Sequence, residues 1–515
     1  MGSNGLSVVI PYGGRTRLPL LDATLASMRR CAGIDQIIVS ELGAEAVAFE
    51  LAQRWGADHL FTHAPGLFDK VRATNTGSLL ARRPEILWCD GDLLFRPDFV
   101  PQALEEFRDG GADFLFPYSS IAYIDAAQSQ AVMAGALSPA HCRPVRVLSP
   151  LDGGAPGGMG LVRRDFLRRH GGMIEGFQGW GYEDHAWVHK VCLLGRLATT
   201  RRPDQQVWHL FHADSGSHSP VGRRIAMRNN PLFEHNAQLF EQIGAIRSAE
   251  ELQRRFPPPP HATPPWPAHA RIALLAVAEA GERRPAKRAQ DWARRLDMAF
   301  GVSSQVLQTR PADLADALEG LDAEVVVGIA DSPLACAALA QGLRDVRFIL
   351  APGDLEPQAG WRLGDGADAH WVLAKTPQQA RAWAELGARV WSCGWDEDEG
   401  ELAAPAVVQP LSHMLNAPHA WKIRIVLDRA ALPPAALDQT PFWYVGFHDA
   451  NDAEIGREDA GRQELRRTLA KADGQIVIDR EVRSTRRPAR WTVWTTDRAG
   501  RWLDKLSGPV DALNA

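Results

Sequence analysis

GGMGLVRRDFLRRHGGMIEGFQGWGYEDHAW, residues 157–187, is the stretch around which the chain is organised. Two glycines open it, an amphipathic basic segment follows, and the loop Gly179-Trp180-Gly181-Tyr182 leads through Glu183 and Asp184 into a helix. Within a few residues the loop supplies close backbone approach, a flat apolar platform and two carboxylates. Sugars present an apolar face of C–H groups that stacks on an aromatic ring, and hydroxyls that take charged or amide partners. A carboxylate in the first turn of a helix is stabilised by the unpaired N–H groups there and tends to stay ionised at neutral pH. An ionised aspartate beside a bound hydroxyl can act as a general base. The string therefore suits a sugar, with a capped helix start after a glycine turn as the lesser alternative.

On the N-terminal side of this stretch, short apolar runs alternate with helical periodicity. Leu6–Ile10, Gln36–Ser40, His59–Phe61, Ile86–Cys89 and Phe114–Phe116 read as strands, with helices from Leu18, over Ala44–Trp55, Ala73–Arg83 and Pro97–Arg108. Continuous apolar strands between helices predict a mostly parallel, doubly covered sheet. Ligands then sit at the carboxyl ends of the strands.

Two loops fall at those ends. The first, Pro11-Tyr12-Gly13-Gly14-Arg15, carries flexible glycines and an arginine suited to a nucleotide phosphate or base; a plain turn is the alternative. In the second, strand Ile86–Cys89 runs into Asp90-Gly91-Asp92. Two carboxylates so placed repel and raise one another's pKa unless a cation holds them. A divalent metal bridging to a diphosphate is the economical cation, because phosphate oxygens complete its shell. Capping of the helix near Pro97 or bonding to local amides is the other use of those aspartates. Between the loops, Phe68–Asn75 opens a helix with Lys70 and Arg72, two cations within reach of a donor's phosphates or sugar, or simply a surface helix start. Farther on, Val207-Trp208-His209-Leu210-Phe211-His212 sets histidines three apart, which share a face only if the backbone is helical or turning, whereas a flat strand points them opposite ways.

DGD at 90–92, the glycine pair Gly157-Gly158, GWGYED at 179–184 and HLFH at 209–212 together resemble the GT-A glycosyltransferases, in particular the galactosyltransferase and chondroitin-polymerase group. The segments PYGGR and FDKVRATN are similar to that group's nucleotide and donor loops, and the likeness covers about the first 240 residues. The resemblance implies a Rossmann-like mixed sheet and a divalent metal, Mn2+ or Mg2+, held by Asp92 and His212, with Asp90 supporting and His209 as an additional ligand. It implies Asp184 as catalytic base, Glu183 as partner of a donor or acceptor hydroxyl, and Trp180 as acceptor platform. Pro11, Tyr12, Gly13, Arg15, Lys70, Arg72, Asn75, Asp90, Gly157, Gly158 and Gly181 would line the substrate. The group often has glycine where Tyr182 stands, a further acid at His185 and methionine at His209, so sugar and metal preference stay open.

Residues 1–250 read as this first domain and 251–268, including RRFPPPPHATPPWP, as a semi-rigid Pro-rich linker outside either core. Residues 269–400 alternate again, as a second Rossmann-like α/β domain that faintly resembles one half of the GT-B glycosyltransferases. Residues 418–515 carry β-rich aromatic segments parted by Asn, Asp and Gly turns, as a β-sandwich would.

With 515 residues, 45% hydrophobic and 23% charged, the chain has the composition of an ordinary globular protein of about three domains. A net charge of −5 argues against a general nucleic-acid partner; the arginines at 163, 164, 168 and 169 permit an anion but suit a solvated helix face. Six scattered cysteines without CxxC spacing suggest a reducing compartment. No apolar run reaches the length of a transmembrane segment, and the start lacks signal-peptide order. The expected location is cytoplasmic, with a peripheral position at the inner face of a membrane compatible with it, as is a homo-oligomer.

By the resemblance, the expected activity is metal-dependent inverting transfer from a nucleotide sugar, preferentially UDP-linked. The acceptor would be an oligosaccharide or lipid-linked glycan in bacterial surface polysaccharide synthesis. Two other classes stay in view. GGRTRLPL, residues 13–20, resembles the glycine-rich loop of sugar-phosphate nucleotidyltransferases but lacks its inner glycine and lysine. The extra domains also suit a non-catalytic glycan-binding scaffold.

Overall fold

The computed structural model describes residues 5–64, 68–150, 157–177, 179, 181–212, 233–259, 262–267, 270–319, 321, 323–342, 347–357, 370–385, 389–392, 405–416, 419–428, 442–448, 454–460, 475–484, 490–496 and 502–509. The chain forms two compact units, residues 1–414 and 415–515.

The first unit begins with strand β1 (Leu6–Tyr12), every residue of which is buried, followed by helix α1 (Leu18–Arg29). Then come β2 (Ile34–Gly43), α2 (Phe49–Arg54), β3 (Asp58–His63), α3 (Lys70–Ser78), β4 (Glu85–Cys89), β5 (Leu93–Leu94) and α4 (Phe99–Gly110). The chain continues through β6 (Phe114–Phe116), β7 (Ser120–Tyr123), α5 (Ala126–Met133), β8 (Arg146–Leu148), β9 (Met159–Arg163), α6 (Arg164–His170), α7 (Glu183–Leu194), β10 (Leu197–Thr199) and β11 (Gln206–His209).

Seven strands form one mixed sheet in the order β10-β6-β9-β4-β1-β2-β3. All run parallel except β9, which lies antiparallel between β4 and β6. The mostly parallel, helix-covered sheet read from the sequence is therefore present, with one reversed strand. That strand lies in the segment read as amphipathic and basic. Arg163 and Arg164 turn their guanidiniums inward, onto the carbonyls of Phe107 and Ala112 and of Ala81 and Arg82. Arg168 and Arg169 instead stand exposed beside Asp165 on α6, as the solvated helix face read from the sequence.

A second, four-stranded sheet, β5-β11-β7-β8, hangs beyond the end of β4. Its pairing of His209 with Leu93 and the bond from Leu210 N–H to the Asp92 carbonyl (2.9 Å) fasten the histidine segment to the aspartate loop.

A third sheet is wholly parallel: β12 (Ile272–Val277), β13 (Gln305–Thr309), β14 (Val325–Ile329), β15 (Phe348–Ala351), β16 (His370–Ala374) and β17 (Arg389–Ser392), in the order β13-β12-β14-β15-β16-β17. The proline-rich stretch before it is no free spacer. Trp266 is buried against Phe300 with ring centroids 5.5 Å apart, and Pro258 abuts Gly171. Proline costs nothing in these packed, non-helical positions, because φ near −65° suits the extended backbone.

The helix Val408–Asn416 packs on β3, the edge of the first sheet. His59 N–H donates to Gln409 Oε1 (3.1 Å) and Phe61 N–H to Ser412 Oγ (3.2 Å), so side chains satisfy the outward N–H groups of the edge. Beside them His59 bridges Glu41 (2.9 Å) and His413 (2.8 Å); Glu41 and His59 are deeply buried and His413 partly so, packed with Phe49 and Trp391. Burial holds the His413 imidazole well below its ordinary pKa, with His59 adding to the effect, so it stays neutral.

The second unit holds antiparallel pairs: β18 (His419–Asp428) with β21 (Gln475–Ser484), and the sheet β20-β19-β22-β23 built from β19 (Phe442–His448), β20 (Glu454–Ala460), β22 (Arg490–Thr496) and β23 (Trp502–Pro509). Among the described residues no helix is long and apolar enough to cross a membrane. Cys31, Cys89, Cys142, Cys192 and Cys336 are free thiols; Cys192 is exposed and Cys142 half-buried.

Gln409 Oε1 accepts from both His59 N–H and Trp391 Nε1 (3.0 Å). Gln409→Ala strands two buried donors and is expected to cost about 1–3 kcal/mol for each donor left unmet, measured as a lowered urea midpoint.

Candidate functional site

In the first sheet the connections reverse direction between β1 and β4, and loops leaving those two strands part to form a crevice at their carboxyl ends. Tyr12–Arg17 leaves β1, Asp90–Asp92 leaves β4, and Gly157-Gly158 enters β9 from the same end. Both glycines have positive φ, 70° and 80°. The carbonyl of Gly158 accepts from Asp90 N–H (2.7 Å) and that of Gly157 from the buried Tyr118 hydroxyl (2.8 Å). A Cβ on Gly157 would lie 2.1 Å from Asp184 Oδ2, so glycine is what lets the Asp184 carboxylate stand over this loop.

The two aspartates of the DGD loop part company. Asp90 takes the Lys70 ammonium (3.1 Å to Oδ1), and the same ammonium lies 3.7 Å from Asp184 Oδ2. Burial pushes the Asp90 carboxyl up to about 6 even with Lys70 beside it. For Lys70 burial works against the charge, but Asp184, Asp90 and Glu183 outweigh it and hold the ammonium well above its ordinary range.

Asp92 faces the other way, 4% exposed, toward both histidines: Oδ2 is 3.0 Å from His212 Nε2 and Oδ1 is 3.6 Å from His209 Nε2. β11 ends at His209 and the chain then turns, which brings imidazoles three residues apart to 5.3 Å between centroids. Burial pushes the Asp92 carboxyl up, and His209, His212 and Arg17 outweigh it, leaving it below the usual carboxylate range.

The donor set fits a divalent cation. His209 Nδ1 sits 2.7 Å from the Leu210 carbonyl, a pure acceptor, so Nδ1 carries the proton and Nε2 turns its lone pair toward Asp92. Burial lowers the His209 pKa, which favours that neutral form. A lone pair facing a carboxylate oxygen that accepts no hydrogen bond among the described residues is the arrangement a metal ion reconciles. One carboxylate and two imidazoles, with all three ligand atoms within 4.8 Å of one another, suit manganese or another first-row ion. The Tyr123 ring stacks on His209 at 4.5 Å and fixes its plane.

The GWGYED loop is strained where it enters α7. Tyr182 has φ 70°, the one non-glycine residue with positive φ among those described. It is held there by stacking on Phe240 (5.2 Å, 13° between planes) and Phe233, compensating a conformation that glycine would take freely. Gly179 bridges to Asp69 ahead of Lys70, and Gly181 N–H donates to Glu183 Oε2 (2.9 Å). Glu183 departs from the expectation that a first-turn carboxylate stays ionised. Burial, reinforced by the Asp184 charge, pushes its pKa up to about 7, more than the helix end recovers.

Pro11, Lys70, Asp90, Gly157, Gly158 and Asp184 line one cleft, closed behind by Trp88, Phe114, Phe116, Met159, Met173 and Trp187. Tyr12 is buried with its hydroxyl on the Gly14 carbonyl, and Gly13 leaves room for the Phe68 ring. Other residues singled out from the sequence stand elsewhere or do other work. Arg15 is exposed and paired with Glu45 (3.0 Å). Asn75 grips the main chain of Met173 in both directions (2.8 and 3.0 Å). Arg72 gives its main-chain N–H to the Asp69 cap (2.9 Å). Trp180 lies outside the described residues. Arg17, Tyr118 and Tyr123 went unnoticed in the sequence; Arg17 stands two residues from an equally plausible arginine, and nothing local separates them.

No family model matches the chain, and no curated protein matches it. Among solved structures, glucosyl-3-phosphoglycerate synthase from Mycobacterium tuberculosis, in complex with Mn2+, UDP and glucosyl-3-phosphoglycerate, is 16% identical over 48% of this chain and 82% of its own, with a TM-score of 0.29. S. aureus TarS 1–349 in complex with UDP-GlcNAc is 12% identical over 46% of this chain and 70% of its own, again with a TM-score of 0.29. At such identities and TM-scores the likeness assigns neither activity nor substrate.

Glu183 gives the site a stability signature. An unfolded glutamate ionises near 4.5, whereas the folded residue holds its proton to about 7. Across that window the native state binds the extra proton, so this group's contribution to stability falls as pH rises. Glu183→Gln keeps an acceptor for Gly181 N–H and removes the slope. Relative to wild type it is expected to gain about 3 kcal/mol between pH 4.5 and 8, read from denaturation midpoints at each pH; parallel profiles would contradict the assignment.

Proposed function

We propose that residues 1–250 form a GT-A domain that transfers a hexose from a nucleotide sugar, with UDP as the favoured nucleotide, to a glycan hydroxyl with inversion. Within this reading 251–268 joins that domain to 269–400, and 418–515 is a β-sandwich. On this reading the domain resembles the galactosyltransferase and chondroitin-polymerase group, and it works in surface polysaccharide synthesis at the cytoplasmic side of a membrane. The observation that carries it is the pairing of two charge centres through the one Asp90-Gly91-Asp92 loop. Asp92 faces His209 and His212 as a candidate cation site, and Asp90, two residues before it, shares one ammonium with Asp184.

A divalent ion held by Asp92, His209 and His212 would neutralise the diphosphate as it departs. The chain's own residues do the rest. Asp184 accepts the proton of the acceptor hydroxyl as that oxygen bonds to the anomeric carbon, and the sugar–phosphate bond breaks on the opposite face. Lys70 keeps Asp184 and Asp90 from repelling each other and presents a donor to the sugar or phosphate. Glu183, held protonated in part near neutrality, can donate to a sugar oxygen as well as accept.

Asp184→Asn is expected to fold, to bind UDP with Mn2+ as wild type does, and to lose about 10²–10⁴ in UDP release from the donor. Asp92→Ala or excess EDTA is expected to abolish UDP binding in calorimetry. Full UDP binding in EDTA would remove the metal from the reading. Turnover of sugar phosphate with nucleoside triphosphate would instead favour a nucleotidyltransferase, and glycan binding without donor turnover a scaffold.

A further inference from the structure

The loop after β1 carries two arginines that face opposite ways. Arg15 leaves for Glu45, while Arg17 Nη1 points to the metal cluster and lies 3.9 Å from Asp92 Oδ2, the oxygen that also meets His212. Its backbone is fixed on both sides: a 3-10 turn ends at Arg17 and α1 starts at the next residue, while the Tyr12 hydroxyl ties the Gly14 carbonyl (2.8 Å).

The charge around the cluster is correspondingly small. Asp92 is its single carboxylate, because Asp90 is taken by Lys70, and the other two ligands are imidazoles that bind metal only when neutral. One negative charge against one guanidinium leaves the cluster near zero before any ion arrives. A divalent cation entering alone meets a like charge beside its one anionic ligand. A diphosphate entering alone meets Arg17 and Lys70 but also Asp90, Asp92 and Asp184. When the two enter together, the ion offsets most of the diphosphate's charge, and Arg17 and Lys70 each face an anionic partner.

We propose that Arg17 makes metal and diphosphate binding mutually dependent, by weakening the site for a free divalent ion and bonding the diphosphate once the ion is seated. This rests on the metal site put forward above and adds to it the order in which the site fills. Linkage requires the effect to be reciprocal: the factor by which diphosphate tightens the ion equals the factor by which the ion tightens diphosphate. Arg17 is 38% exposed, so solvent and salt screen its repulsion, and a change of about tenfold in ion affinity is the expected size.

The test uses the full chain and Mn2+, followed by loss of the free-ion paramagnetic resonance signal and by calorimetry, with no addition, with uridine, with pyrophosphate and with UDP. In wild type, pyrophosphate and UDP are expected to tighten Mn2+ at least tenfold and uridine not at all. Arg17→Met is expected to bind Mn2+ alone about tenfold more tightly and to show a smaller coupling factor; Arg17→Lys keeps the coupling. Arg17→Gln serves as a second neutral variant should the first misfold. Unchanged or weaker Mn2+ binding by a folded neutral variant overturns the inference while leaving the metal site standing. Wild-type protein that binds neither Mn2+ nor UDP overturns the proposed function itself.

Discussion

One ammonium holds the site together. Lys70 meets Asp90 and Asp184 from the first turn of α3, a fifth exposed and enclosed by three acids. Carboxylates gathered this closely in a cleft repel unless a cation is fixed among them, and removing one partner of such a cluster leaves the others buried and uncompensated. The neighbouring features serve that contact. The Asp69 cap starts α3 at the right residue, the Asp69–Gly179 bridge ties it to the loop before α7, and Gly157 gives the space that a side chain would deny Asp184.

Three acidic positions of the site consequently have different characters. Asp92, beside His209, His212 and Arg17, lies below the usual carboxylate range, Asp90 titrates near 6 with Lys70 as its partner, and Glu183 keeps its proton to about 7. Environments that push carboxyl groups apart in this way divide labour among residues of the same type. Here the division is spatial as well: the histidine-lined face suits a cation, and the lysine-lined face suits hydroxyls and phosphates.

Much of this was legible in the chain, because strands buried on both faces are continuous apolar runs. Leu6–Ile10 and Ile86–Cys89 announce themselves within β1 and β4, and the loops that follow them must lie at one end of the sheet. The bend that unites His209 with His212 was left open by spacing alone and is set by the pairing of Leu93 and Leu94 with β11. β9 was hidden because its last arginine, and the one beginning α6, bond to carbonyls, which composition scores as surface. The left-handed Tyr182 shows only as a tyrosine where glycine is the easier residue, and its compensation comes from Phe233 and Phe240, some fifty residues away. The choice between Arg15 and Arg17 depends on a single 3-10 turn and had no local signal. Helix Val408–Asn416 fell between the stretches assigned to domains, since its role is defined only by the strand it covers.

That covering has a consequence for how the chain can be divided. β3 ends the seven-stranded sheet, and its outer row of amides is answered by Gln409 and Ser412, more than three hundred residues downstream. A sheet margin stripped of its cover is a template on which another chain can add a strand. An N-terminal fragment cut before residue 408 would retain the Asp92–His209–His212 cluster and the lysine-bridged acids while baring an adhesive flank, so that fragment would self-associate more readily than the intact chain.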